Sequence, residues 1–413
     1  MKTLNEMGVL AKSAAAVLAV TSSETKNKLL CLAADKLVQN ESELINENEK
    51  DIKRGKEAGL TDALIDRLRL TPARIRDMAN GLLEIAAEGD PIGEIIEGVT
   101  RPNGMRISKI RVPLGVVGII YEARPNVTAD AFGICLKAGN AVILRGGKEA
   151  ICSNLAIMKI LKEAVSEVGL PEGTVDLVED TTRNSANELM KLKYLDLLIP
   201  RGGASLISAT VENATVPVIE TGVGNCHAFV DESADLGMAV SIVENGKCQR
   251  PSVCNALETL LVHKNIADKF LPLIDKAFKN HDTKILGCNK TCEILKDAAP
   301  ATDDDYATEF LDYVISVKVV DSVSDAINHI RRYSTGHSEC IITESYKNAE
   351  LFVNSIDSAA LYINASTRFT DGGQFGMGAE IGISTGKLHA RGPMGIKDLT
   401  TVKYIVRGDG QIR

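Results

Sequence analysis

Cys254 is the residue of this sequence best suited to covalent chemistry. The stretch Lys247-Cys-Gln-Arg-Pro-Ser-Val-Cys254 leads to the thiol through a turn with two cations, Lys247 and Arg250, and a proline, Pro251. An apolar run over 256–262 follows. Sulfur beside positive charge, or at a helix N-terminus, ionises more readily, and the thiolate is the nucleophilic form. Such a cysteine suits reversible acyl transfer, because a thioester forms easily and is readily reduced. The competing reading is a packed core thiol, since cysteine is among the most buried residue types. The cationic turn weighs against it.

Two glycine turns suggest a second function. Leu144-Arg-Gly-Gly-Lys148 supplies Arg145, Gly146, Gly147 and Lys148, and Pro200-Arg-Gly-Gly-Ala204 supplies Arg201, Gly202 and Gly203. Each follows an apolar run that reads as a strand. Glycine there lets backbone N–H groups approach a phosphate, and arginine adds charge-assisted bonds. Neither matches G-x-G-x-x-G, so the usual dinucleotide fingerprint is absent. The pair Cys288 and Cys292 has no second Cys or His pair at zinc-site spacing, so no metal is expected.

The elements that must position these residues read as α/β. Residues 1 to about 98 are helical in pattern, with Ser23 a cap and Thr71-Pro72 opening a helix. Apolar runs at 116–120 and 141–144 suit strands covered on both faces. Helices are expected over 153–168 and 185–192, with strands over 175–178, 195–199 and 216–219. A second α/β pattern starts after residue 226, with a strand at 340–343 and a helix over 323–333. The alternation predicts doubly wound, mostly parallel sheets. Residues 399–406 form an alternating strand that needs an edge to pair with, on another subunit if not on this one.

The whole chain bounds the function. At 413 residues it exceeds one hydrophobic core, so two or three domains are expected. A net charge of -8 and the absence of Trp argue against a nucleic-acid partner or an anionic membrane surface. No apolar run reaches the ~18 residues of a membrane span, and the N-terminus reads as an amphipathic helix rather than a leader. Nine scattered cysteines fit a reducing compartment, so a cytoplasmic location is expected.

Four stretches, taken together, resemble the aldehyde dehydrogenase superfamily, and within it the branch that reduces glutamyl 5-phosphate. They are Ile120-Tyr-Glu-Ala-Arg-Pro-Asn-Val-Thr128, the run 136–147, the run 249–263, and Asn364-Ala-Ser-Thr-Arg-Phe-Thr-Asp-Gly-Gly373. The resemblance implies a cofactor-binding domain over 1–225, a catalytic domain over 226–360, and a return over 361–413 to the cofactor domain and a C-terminal strand. That strand would join strands near 100–115 in a small β element for homo-oligomerisation, as a dimer or larger.

The implied reaction is NADPH-dependent reduction of L-glutamyl 5-phosphate to L-glutamate 5-semialdehyde with release of phosphate, a step of proline biosynthesis. By that resemblance Cys254 is the nucleophile that forms a thioester, and Asn126 is the side-chain oxyanion donor. Arg145 and Lys148 match cofactor positions where cations favour NADP over NAD, and Glu309 matches a glutamate that holds the nicotinamide ribose. Arg124, Arg250, Ser366, Thr367, Arg368, His389 and Arg391 are candidates to bind the substrate's amino-acid head and phosphate. A glutamate kinase is the protein partner the resemblance leaves open. Glu220, 34 residues before Cys254, lies about where hydrolytic relatives carry a deacylating base. The residues after it, Thr-Gly-Val-Gly-Asn-Cys-His, differ from that motif, and Glu220 is read as not serving that role. The alternatives are a hydrolytic or CoA-acylating member of the superfamily, or a non-catalytic scaffold for the kinase.

Overall fold

Apolar residues three and four apart build five helices before the first strand in the computed structural model, which describes residues 2–413. Met1, where the expected cofactor domain begins, lies outside them. The helices are α1 (Leu4–Leu18), α2 (Ser23–Gln39), α3 (Glu41–Glu57), α4 (Asp62–Leu68) and α5 (Pro72–Ala87). Thr71 caps α5, with Pro72 in its first turn, as the sequence predicts. The cap of α2 is Ser22 rather than Ser23, one residue earlier than expected. The helical region stops at residue 87, short of the expected 98, because Gly89, Pro91 and Gly93 interrupt it.

The chain divides into two units, the first being 1–221, 376–382 and 394–413. After α5 this unit continues with β1 (Ile95–Thr100), β2 (Arg106–Pro113), β3 (Val116–Tyr121), α6 (Asn126–Lys137), β4 (Ala141–Arg145), α7 (Ile151–Val168), β5 (Val175–Leu177), α8 (Arg183–Met190), β6 (Leu197–Arg201) and α9 (Ala204–Asn213). The strands β5-β4-β3-β6 form a parallel sheet in that order. All six residues of β3 are buried, which is why its sequence shows no alternation. The expected strand at 216–219 is only an isolated bridge between Leu198 and Val218. Pro217 lacks the N–H that would extend the ladder.

The second unit comprises 222–375 and 383–393. It runs β7 (Cys226–Val230), α10 (Leu236–Cys248), β8 (Leu257–His263), α11 (Lys264–Lys279), β9 (Lys284–Gly287), α12 (Asn289–Ile294), β10 (Ala299–Pro300), α13 (Asp303–Tyr306), β11 (Val314–Val320), α14 (Val323–Tyr333), β12 (Ser338–Ile342), α15 (Tyr346–Ser355) and β13 (Ala360–Ile363). A short hairpin, β14 (Ile383–Ser384) with β15 (Gly392–Pro393), completes it. The main sheet is parallel throughout, in the order β10-β9-β11-β8-β7-β12-β13. Successive residues of β7 and β8 feed opposite faces: Ala228 and Leu260 join one core with Phe270 and Phe278, while Phe229 and Leu261 join another with Phe352. Helices cover both faces, as the doubly wound reading requires.

The last strand, β16 (Thr400–Arg407), pairs antiparallel with β2 of the same unit, from Thr400 opposite Pro113 to Arg407 opposite Arg106. The tail thus finds its edge within the chain, and β1-β2-β16 make a three-stranded sheet. Ile95, Ile96, Val99, Val402, Tyr404 and Val406 leave much of that sheet's apolar surface exposed.

Candidate active site

Cys254 lies in the turn between the end of α10 and the start of β8, half-buried. Its own segment therefore supplies no helix N-terminus, contrary to one expectation for lowering its pKa. Nor is Lys247 a cation presented to the sulfur. It is fully buried in the last turn of α10, with its Nζ 2.6 Å from Glu258 Oε2 on β8. Burial pushes the Glu258 carboxyl up to about 7 and the Lys247 ammonium down, each opposed by the other's charge. A buried pair of this kind fixes α10 against β8 more than it adds net stability.

The cations that do share the neighbourhood of Cys254 are Arg250 and Arg368. Burial lowers the Arg368 pKa first and Arg250 lowers it further, while Asp371 and the thiols of Cys254 and Cys226 act in the opposite sense. Arg368 Nε also donates to Gln249 at 3.1 Å. The fourth motif grips the thiol segment directly: Thr367 Oγ1 donates to the Asn255 carbonyl at 2.7 Å, and Asn255 Nδ2 donates to the Thr370 carbonyl at 2.8 Å. Ser366 caps the short turn that holds Arg368. Ser366 and Thr367 are thus buried groups that place Arg368 and the 254–255 peptide. Arg391 is bound to Asp357 through both its carboxylate, at 2.7 Å, and its carbonyl, at 2.8 Å. His389 is exposed in the left-handed region, at φ 70°.

Glu309 follows α13 in the same unit, and its Oε1 accepts the Gly224 N–H at 2.8 Å. Burial raises its pKa, against that hydrogen bond. A Cβ on Gly224 would fall 1.5 Å from the Cys254 carbonyl oxygen, so residue 224 must be glycine for the two segments to pack. Sequence reasoning missed Gly224, Cys226, Asn255 and Thr370. All act on the nucleophile segment across long stretches of chain, which local spacing does not reveal.

In the first unit, Asn126 opens α6 and is exposed. Its Nδ2 donates to Asp130 Oδ2 at 2.9 Å, one turn on, and this bond orients the amide. Burial pushes the Asp130 carboxyl up to about 6. Arg124 precedes it, exposed, in the turn between β3 and α6. Arg145, at the end of β4, donates through Nη2 to the carbonyls of Thr181 and Thr182 at 2.7 and 2.8 Å, while its buried Nε has no partner. Lys148 is exposed three residues on. An arginine at the strand end and an exposed lysine three residues on are cations of the kind that suit an anionic group of a cofactor.

The two glycine turns differ. A Cβ on Gly146 would meet Asn154 at 2.2 Å, so packing requires this glycine, and Gly147 is likewise crowded by Glu149. Arg201 ends β6, and Gly202 is crowded by Glu122. The Gly203 N–H, at the mouth of α9, is taken by a Glu122 oxygen at 3.0 Å. A carboxylate therefore occupies the donor that the sequence suggested for a phosphate. Glu220 is exposed. Among the described residues, no group of three His, Cys, Asp or Glu side chains could hold a metal ion.

A thiol in a turn before a strand of a parallel sheet, with cations around it, is an arrangement for covalent acyl chemistry. The chain belongs to the aldehyde dehydrogenase family, whose model matches residues 2–285. Within that family it groups with the gamma-glutamyl phosphate reductases. It is 57% identical to the gamma-glutamyl phosphate reductase of Clostridium novyi over 99% of this chain and 98% of that one. It matches the crystal structure of gamma-glutamyl phosphate reductase from Thermotoga maritima with a TM-score of 0.97, at 50% identity and over 100% of both chains. An acetylating aldehyde dehydrogenase from Geobacillus thermoglucosidasius shares the fold, with a TM-score of 0.71 at 18% identity over 100% of both chains. A nicotinamide cofactor goes with membership of this family. No helix among the described residues is long and apolar enough to cross a membrane.

Proposed function

We propose that this chain reduces L-glutamyl 5-phosphate to L-glutamate 5-semialdehyde with release of phosphate, in proline biosynthesis. The observation that carries this reading is the 57% identity, over nearly the whole chain, to gamma-glutamyl phosphate reductases. The Cys254 thiolate attacks the acyl carbon, the C–S bond forms, and the carbon–oxygen bond to phosphate breaks. Arg250 and Arg368 supply positive charge for the departing phosphate. The nicotinamide, when bound, supplies a hydride to the thioester carbon. Asn126 and the Cys254 backbone N–H are proposed as donors to the oxyanion, each worth roughly 3–4 kcal/mol of barrier. When the thiohemiacetal collapses, the C–S bond breaks, the aldehyde leaves and Cys254 is a thiolate again.

NADPH is the proposed form of the cofactor, supported by the exposed cation Lys148 after β4, with Arg145 proposed to hold the cofactor-side loop and Glu309 proposed for the nicotinamide ribose. The exposed apolar face of β1-β2-β16 supports a homo-oligomer, dimer or larger. A glutamate kinase is proposed as the source of the acyl phosphate, a mixed anhydride that water destroys. Nine thiols support a cytoplasmic location.

The experiment is the reverse reaction with glutamate semialdehyde, NADP and phosphate, each omitted in turn. By microscopic reversibility, phosphate attacks the thioester from the site it left. NADP reduction should therefore require phosphate or arsenate. Sustained phosphate-independent oxidation that disappears in Glu220→Gln would move the chain to the hydrolytic dehydrogenases.

A further inference from the structure

The peptide that carries Cys254 is gripped at its carbonyl. Gly224 packs against that oxygen closely enough to exclude any Cβ. Two residues on, at the start of β7, Cys226 Sγ donates to the same oxygen at 3.2 Å. Cys226 is fully buried, and burial holds its thiol well above the usual range, so it keeps the hydrogen this bond needs.

A polar chain backs Cys226. His337 Nδ1 lies 3.7 Å from Cys226 Sγ and 2.8 Å from Ser338 Oγ. Ser338 Oγ lies 2.7 Å from Thr370 Oγ1, which is also 2.7 Å from Tyr362 Oη. The Thr370 carbonyl in turn accepts from Asn255 Nδ2 at 2.8 Å. The chain leaves the Cys254 carbonyl through Cys226 and returns to the next residue through Thr370. All of these groups are buried except the partly buried Tyr362, in a unit where β7 and β12 are neighbours in the sheet.

We propose that Cys226 is a positioning residue for the nucleophile: its S–H holds the Cys254 carbonyl and so fixes the backbone from which the Cys254 thiol projects. This rests on Cys254 being the nucleophile. Holding a reacting atom matters because a misplacement of ~1 Å can lower a rate about 100-fold. Sulfur suits the position because its long C–S bond reaches the carbonyl across the strand start, and a serine hydroxyl there donates over a slightly longer gap.

The test compares Cys226→Ala, Cys226→Ser and Cys254→Ser in the full chain. Cys226→Ala should lower kcat roughly 10- to 100-fold with KM for semialdehyde and NADP within about twofold and Tm little changed, the signature of misplacement rather than lost binding. Cys226→Ser should recover most of that loss. Wild-type kcat in Cys226→Ala would overturn the proposal. So would equal impairment of the alanine and serine variants, or a loss of kcat that tracks loss of NADP binding and melting. Should the alanine variant not fold, Cys226→Val fills the space without donating and carries the same expectation. An active Cys254→Ser enzyme would overturn the nucleophile reading itself, whereas full activity in Cys226→Ala beside an inactive Cys254→Ser overturns the positioning role alone.

Discussion

Around Cys254 the backbone is held by groups remote in sequence: Thr367 bonds the Asn255 carbonyl, Cys226 bonds the Cys254 carbonyl, and Gly224 packs beneath it. The strand-end turns of the first unit are held from the loops of their own sheet, Glu122 after β3 taking the Gly203 N–H. Gly146 packs against Asn154, eight residues on, and Arg145 reaches Thr181 and Thr182 after the adjacent strand. The contrast follows from what each site must do. A nucleophile must be placed to a fraction of an ångström, which a single turn cannot ensure. The turns proposed for the cofactor need cations at a strand end, and β4 with the turn after it already provides Arg145 and Lys148.

The largest expected effect separates the two cysteines of the thiol segment. Cys254→Ser should abolish turnover, by at least ~10³-fold, with NADPH binding retained, since a neutral hydroxyl is a far poorer nucleophile than a thiolate. Cys248→Ser should keep most activity. Cys248 is buried at the end of α10, its sulfur 3.4 Å from Thr283 Oγ1, and burial pushes its thiol up. Equal sensitivity of the two, measured as kcat with cofactor affinity, would show that the nucleophile has been misassigned.

Two glycines compare the thiol segment with a strand-end turn. In Gly224→Ala the new methyl would lie 1.5 Å from the Cys254 oxygen, so one segment must move. A kcat loss of ~10²-fold or more is expected, with a lower Tm. Gly203→Ala meets nothing within 4 Å, so its cost should stay below about 1 kcal/mol. Thermal melts and steady-state rates of the pair decide this. If Gly224→Ala were as benign as Gly203→Ala, the thiol segment would not be tightly held.

What was legible in the sequence follows the same division. The helix 323–333 and the buried strand at 116–120 were readable because period and capping are local signals. The strand at 216–219 was not, because Pro217 removes one donor from an otherwise apolar run. Cys254, Arg145 and Lys148 stood out by the chemistry of their immediate neighbours. Lys247 misled for that same reason: it is close to Cys254 in sequence, yet the last turn of α10 buries it against Glu258. Cys226 and Thr370 could not be found this way. Their partners lie 28 and 115 residues away, and only the folded chain brings them together.

The smallest expected effect sharpens the cofactor side. Arg145 and Lys148 both carry positive charge near the end of β4, but the guanidinium of Arg145 already ties down the loop after β5. Replacing it with Met should therefore weaken NADPH and NADH together, because the loop loosens whichever cofactor is bound. Lys148 is exposed, and no bond of this kind commits it. A charge-assisted bond from its ammonium to a 2′-phosphate would contribute at most about 1.5–3 kcal/mol, less where solvent screens it. Lys148→Ala should thus raise KM for NADPH roughly tenfold and leave KM for NADH unchanged. The reading depends on this selectivity. If Lys148→Ala affects both cofactors equally while Arg145→Met discriminates between them, the two residues have exchanged roles and the 2′-phosphate is read by the guanidinium.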